Sequence, residues 1–133
     1  MAHRFSLGRN ERLKSRKQIE KLFREGKRIS VNPFRVFYLE GAALMPMQAG
    51  FGVGTRQFNR AVDRNRIKRL TREAYRLQKH KLQEGLTINN RSITLFIIFT
   101  GKQLPEQAFV HEKIGLMLEK LSLLINEKPP SHP

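Results

Sequence analysis

Nine consecutive residues, Ser92-Ile-Thr-Leu-Phe-Ile-Ile-Phe-Thr100, form a nearly unbroken apolar run in a chain otherwise crowded with cations. β-branched and aromatic residues dominate it, and its length suits a strand better than a helix. Such a run predicts a strand within a sheet, covered on both faces. The rest of the fold must supply that cover, so a layer of helices is required.

The neighbouring signals fill in the sheet and its cover. Phe34 to Leu39 reads as a strand, with Phe34, Val36 and Tyr38 pointing one way and Arg35, Phe37 and Leu39 the other. Gly41 to Gln48 reads as a loop and Gly50 to Thr55 as a glycine-rich strand. Ser15 with Gln18 three residues on is a capping-box pattern opening a short helix. Ile19, Leu22 and Phe23 form its apolar stripe, and Gly26 is placed to end it as a left-handed cap. Pro105 suits the first turn of a last helix, whose stripe is Val110, Ile114, Met117, Leu121 and Leu124. There is no internal repeat and no interior Pro-, Gly- or Ser-rich linker, and 133 residues are enough for one core. Residues 1–133 are therefore expected to form a single α+β domain, loose only at 1–12 and 128–133.

Charge narrows the partners. Twenty-six Lys and Arg against 11 Asp and Glu leave a net charge of +15. Self-repulsion of that size in a small domain points to a polyanion as the usual partner, nucleic acid first and anionic membrane second, with a merely solvated basic surface as the plain alternative. The chain has no cysteine, which excludes disulfides and thiolate metal sites and fits a reducing compartment. No stretch approaches the roughly 18 apolar residues of a membrane helix, and Met1 to Asn10 lacks the apolar centre of a signal peptide. The expectation is a cytoplasmic protein without membrane association.

The cations are concentrated between the glycine-rich strand and the apolar run, in Arg60-Ala-Val-Asp-Arg-Asn-Arg-Ile-Lys-Arg-Leu-Thr-Arg-Glu-Ala-Tyr-Arg76. On a helix, Ile67, Leu70, Ala74 and Leu77 fall within an arc of about 80°. Arg64, Asn65, Lys68, Arg69, Arg72, Arg76 and Lys79 fall within about 140° on the far side, while Arg66 lies beside the apolar edge. A solvated helix face usually mixes signs and gains from Glu–Lys pairs four residues apart. Here Arg64, Lys68, Arg72 and Arg76 repeat one sign at that spacing, which favours a phosphate-binding face. Guanidinium groups, with their paired donors, suit that task.

The string Arg64-Asn65-Arg66-Ile67-Lys68-Arg69-Leu70, followed by Arg72-Glu73, resembles the RNR motif of the bacterial ribonuclease P protein family. The resemblance runs from Arg12 to the end of the last helix and includes the Gly50-Phe-Gly-Val strand and the Ile19/Phe23 helix. It implies an αβββαβα order like the second domain of ribosomal protein S5, with a left-handed βαβ crossover. That order needs one more strand, for which Arg28 to Val31 is the natural place. It also implies that Arg60, Arg64, Asn65, Arg66, Lys68, Arg69, Arg72 and Arg76 face the catalytic RNA. Ile19, Phe23, Arg35, Phe37 and Arg56 would border a cleft for the single-stranded 5′ leader of precursor tRNA. Flat side chains for bases and cations for the backbone are what single-strand binding requires. The family has an aromatic residue where this chain has Ile19, so stacking is lost there. The partners implied are the catalytic RNA and precursor tRNA, with no obligate protein partner. Magnesium would belong to the holoenzyme, held mainly by RNA and not by the protein alone.

The residues themselves offer little for catalysis. A two-metal nuclease needs clustered carboxylates, and this chain has one aspartate and scattered glutamates. Asp63, at the start of the basic helix, reads as a cap or dipole partner. His3, His80, His111 and His132 share no motif. The expected function is the protein subunit of an endoribonuclease, removing the leader to give the mature tRNA 5′ end, with no catalytic and no metal-binding residue of its own. A structural RNA-binding protein of the ribosome is the alternative, and an autonomous nuclease the remaining one.

Overall fold

The computed structural model describes residues 11–41 and 46–127. The elements run α1 (Arg16–Glu25), β1 (Lys27–Val31), β2 (Phe34–Glu40), β3 (Met47–Val53), α2 (Ala61–Gln78), α3 (His80–Ile88), β4 (Ile93–Phe99) and α4 (Gln107–Glu127). The extra strand falls at β1, where it was expected, but the helical segment between β3 and β4 is two helices rather than one. The four strands of the sheet lie in the order β1-β2-β4-β3. β1 and β2 are antiparallel, as are β2 and β4, while β3 runs parallel to β4. A parallel pair needs a long crossover, and α2 with α3 provides it.

One face of the sheet carries the core. Val36, Leu95 and Ile97 have no exposed surface, and Ile29, Phe34, Met47, Ala49, Ile93 and Phe99 are also buried there. Ile67 of α2 and Val110, Ile114, Met117 and Leu121 of α4 close over them, all fully buried. Each such side chain contributes about 1.5–3 kcal/mol when taken from water, which makes this layer the main source of stability. The predicted α4 stripe holds except at its end, where Ile125 is buried and Leu124 only half-buried. α4 also starts later than Pro105 suggests: Val110 N–H donates to the Glu106 carbonyl at 3.0 Å, so the first turn follows the proline.

β4 is not covered equally on both sides. Its odd positions are buried and its even positions, Thr94, Phe96 and Ile98, only half-buried. Among the described residues α1 is the helix that packs on the second face, and at 10 residues it is too short to span it. The glycine-rich strand begins at Met47 rather than Gly50, shortening the expected loop, of which residues 42–45 lie outside the described residues.

Local signals at α1 hold in part. Ser15 Oγ accepts from the Gln18 N–H at 3.3 Å, as a helix cap should. Gly26, however, is extended (φ −73°, ψ 159°) and not left-handed. It is required for closeness instead, since a Cβ there would sit 2.5 Å from the Leu22 carbonyl oxygen and 3.0 Å from that of Tyr38. The expected loose ends, 1–12 and 128–133, lie mostly outside the described residues. Arg12 and Glu11 do not: Arg12 bridges to Ala49 beside β3, and Glu11 accepts a hydrogen bond from Lys79.

Candidate nucleic-acid interface

The basic helix α2 rests on the core through Ile67, Thr71, Ala74 and Tyr75. Compared with the expected arc, it is rolled toward Thr71 and Tyr75, and Leu77 stays 40% exposed. Two contacts permit the roll. Thr71 Oγ1 donates back to the Ile67 carbonyl at 2.8 Å, so its hydroxyl can be buried, and the Tyr75 ring packs edge-on against Phe51 of β3.

The cations of α2 then divide into two groups. Arg64, Arg76 and Arg60 have protein partners. Arg64 Nη1 donates to the Phe58 carbonyl at 2.8 Å, fixing the β3–α2 loop, and Arg76 meets Glu73 Oε2 at 2.6 and 3.0 Å. Arg60 is 3.8 Å from Asp63, which therefore serves as a first-turn dipole partner. The capping part of the Asp63 expectation fails, because the N-cap residue is Arg60 and no side chain caps the helix. Arg66, Lys68, Arg69 and Arg72, with Asn65 among them, make no ion pair among the described residues; Asn65, Arg66 and Arg69 are exposed, and Lys68 and Arg72 half-buried. Lys79 does not belong to this face. It is 1% exposed and held by Glu11 at 2.7 Å, inside the junction of α2 and α3.

The second face of the sheet holds a different surface. Phe23 of α1, 44% exposed, packs on Phe37 of β2 (ring centroids 4.9 Å) and edge-on against Phe96 of β4 (5.3 Å). Phe96 was missed by sequence reasoning, because an apolar residue on either side of an apolar run gives no sign of which side is open. Its ring leans over β3, and the two glycines there make the space. A Cβ on Gly50 would come within 2.6 Å of that ring, and one on Gly52 within 2.8 Å. Ile19 is half-buried one turn before Phe23, and Arg35 is exposed on the same sheet face as Phe37. Arg56 lies exposed in the loop after β3. Exposed or half-exposed aromatic rings gathered on one face of a small domain mark a contact surface, and rings bordered by arginines suit unpaired bases.

A sheet with an aromatic groove on one face and a basic helix across the other layer defines a small RNA-binding domain of the α+β class. Comparison with known proteins makes the assignment specific. The ribonuclease P family profile matches residues 7–120, and the chain belongs to the ribonuclease P protein family. The ribonuclease P protein component of Porphyromonas gingivalis is 39% identical over 104 residues, covering 77% of this chain and 76% of the relative. That of Dictyoglomus thermophilum is 31% identical over 117 residues, covering 88% and 89%. The Staphylococcus aureus RNase P protein superimposes with a TM-score of 0.60 at 20% identity, over 88% of this chain and 95% of that one, which is a likeness of fold.

Proposed function

We propose that this chain is the protein subunit of a ribonuclease P ribonucleoprotein, in which RNA carries the chemistry and the protein presents two separate RNA-binding surfaces. Family membership supports the subunit role and disfavours a structural place in the ribosome. On this reading Arg60, Arg64, Asn65, Arg66, Lys68, Arg69, Arg72 and Arg76 lie along the catalytic RNA, Arg64 and Arg76 with part of their donor capacity already spent inside the protein. The cleft bordered by Ile19, Phe23, Arg35, Phe37 and Arg56, with Phe96 added, receives the single-stranded leader of precursor tRNA. The observation that carries the cleft is the half-open ring cluster of Phe23, Phe37 and Phe96 on the sheet face opposite the core.

Among the described residues no three of His, Asp and Glu gather as a metal ion would require, and no helix is long and apolar enough to cross a membrane. We further propose that magnesium is held mainly by RNA, with the protein contributing position and positive charge, and that the complex is cytoplasmic with no obligate protein partner.

Replacing Phe37 by Ala tests the cleft. Precursor tRNA affinity should fall by about 1–3 kcal/mol, the range for one lost stacking partner. Mature tRNA, which has no leader, should bind as before. A ring serving only to pack would instead cost about 3–5 kcal/mol of stability and weaken both RNAs together.

A further inference from the structure

The strand register arranges the open sheet face into two rows that cross all four strands. Arg28, Phe37, Phe96 and Gly50 are successive partners in one row, and Ser30, Arg35, Ile98 and Gly52 in the next. Partners in register point to the same side of a sheet, so each row is a continuous strip of one surface. Past β3 the strip meets the segment before α1, where Arg12 bridges to Ala49 and Leu13 N–H donates to the Ala49 carbonyl at 2.9 Å, and the loop that follows β3 carries the exposed Arg56. At the opposite end is β1, an edge strand whose exposed Arg28 holds its guanidinium 5.8 Å from the centre of the Phe37 ring. Arg28 makes no ion pair among the described residues, and the nearby Glu25 is engaged by Arg24 at 3.5 Å.

We propose that the leader crosses the sheet from the β3 side toward β1, and that Arg28 is the far clamp, holding the backbone as it leaves over the sheet edge. The inference rests on the leader-cleft reading and adds to it a direction and a terminal contact. Three gaps between strands span about 14 Å, long enough that a chain lying on the rings needs a cation at each end. The contact with Phe37 favours one placement of the guanidinium before the RNA arrives, and the exposed side chain keeps its donors available for a phosphate. The plainer alternative is a surface cation–π contact that only covers the ring.

The experiment is a series of precursor tRNAs whose leaders shorten one nucleotide at a time, bound to holoenzyme containing the native protein, Arg28→Ala, Arg28→Lys or Phe37→Ala. Melting temperature is recorded for each protein. Arg28→Ala should bind mature tRNA and the shortest leaders normally, then lose affinity about three- to tenfold beyond a threshold length, with a salt slope smaller by about one unit only there. Arg28→Lys should keep that slope while recovering part of the affinity. Equal affinity at every leader length, or an equal loss for mature and precursor tRNA, would overturn the clamp. If Phe37→Ala separates precursor from mature tRNA while Arg28→Ala shows no length dependence, the leader lies in the cleft but does not leave past Arg28. If Phe37→Ala fails to separate them, the cleft reading itself falls.

Discussion

The ammonium of Lys79 lies 2.7 Å from the Glu11 carboxylate, joining residues 68 positions apart where α2 turns into α3. The Lys79 side chain is 2% exposed and that of Glu11 13%, and Gln83 donates to the second carboxylate oxygen at 3.2 Å. The pair ties the segment before α1 to the C-terminal end of the basic helix, and so joins the lead-in to the helix carrying Ile19 and Phe23 to α2. Removing Glu11 alone takes the carboxylate away from a buried cation, a change that costs about 3–5 kcal/mol. Glu11→Ala should lose that much in urea unfolding, and Glu11→Ala combined with Lys79→Met should recover most of it. A loss under about 1 kcal/mol, the level of a surface pair, would show the site to be open to water.

Tyr75 gives a pH-dependent expectation. Burial pushes its phenol well above the usual tyrosine range, and the Glu11 charge adds to the effect. Its hydroxyl is buried and makes no hydrogen bond among the described residues. The folded state therefore holds the phenolic proton more tightly than the unfolded chain does. Its contribution to stability is complete below the ordinary phenol value of about 10 and is lost as pH rises above it. Tyr75→Phe keeps the ring on Phe51 and should be neutral or stabilising by up to about 1–3 kcal/mol at neutral pH, since an unpaired buried hydroxyl is removed. The mutant should also lose stability less steeply above that pH in thermal melts. Destabilisation at neutral pH would mean that the hydroxyl has a partner.

The division of the α2 cations predicts unequal effects on binding to the catalytic RNA. Replacing Lys68, Arg69 and Arg72 together by Ala should flatten the slope of log affinity against log salt by about two to three units, with little change in melting temperature. Arg64→Ala should weaken binding and also lower stability, because the Phe58 carbonyl loses its donor. An unchanged slope in the triple mutant would make this face a solvated one.

Gly50 and Gly41 form a matched pair for testing the cleft floor. A methyl group on Gly50 must displace the Phe96 ring, whereas one on Gly41 meets nothing within 4 Å among the described residues. Gly50→Ala should cost about 1–3 kcal/mol of stability as an overpacked site, and should weaken precursor tRNA binding relative to mature tRNA. Gly41→Ala should change neither. Equal behaviour of the two variants would show that the position of Phe96 does not matter to the leader.

The sequence was most legible where one residue pattern answered to one environment. The alternation in Phe34–Glu40 and the spacing of Val110, Ile114, Met117 and Leu121 named the core face directly, and the run of like charges marked α2. What escaped depended on contacts distant in the chain. Nothing near Lys79 announces Glu11, so a helical projection placed it on the solvent face. Phe96 and Ile98 sit on a half-covered face, but their chain neighbours Leu95, Ile97 and Phe99 are apolar too, so the run itself does not tell the two faces apart. Gly26 is a glycine at a helix end, and the pattern could not distinguish a left-handed cap from a close approach to Leu22 and Tyr38. Arg28 became a candidate only once the register set it opposite Phe37.

The subunit assignment is tested most directly by cleavage of precursor tRNA at low-millimolar magnesium, with the protein alone, its RNA partner alone, and the two reconstituted. Protein freed of nucleic acid by nuclease treatment should leave the substrate intact, and adding the RNA should produce the mature 5′ end, with the complex outperforming RNA alone. Cleavage at that position by the RNA-free protein would contradict the assignment of the chemistry to RNA, and a complex no better than RNA alone would contradict the role proposed for the protein.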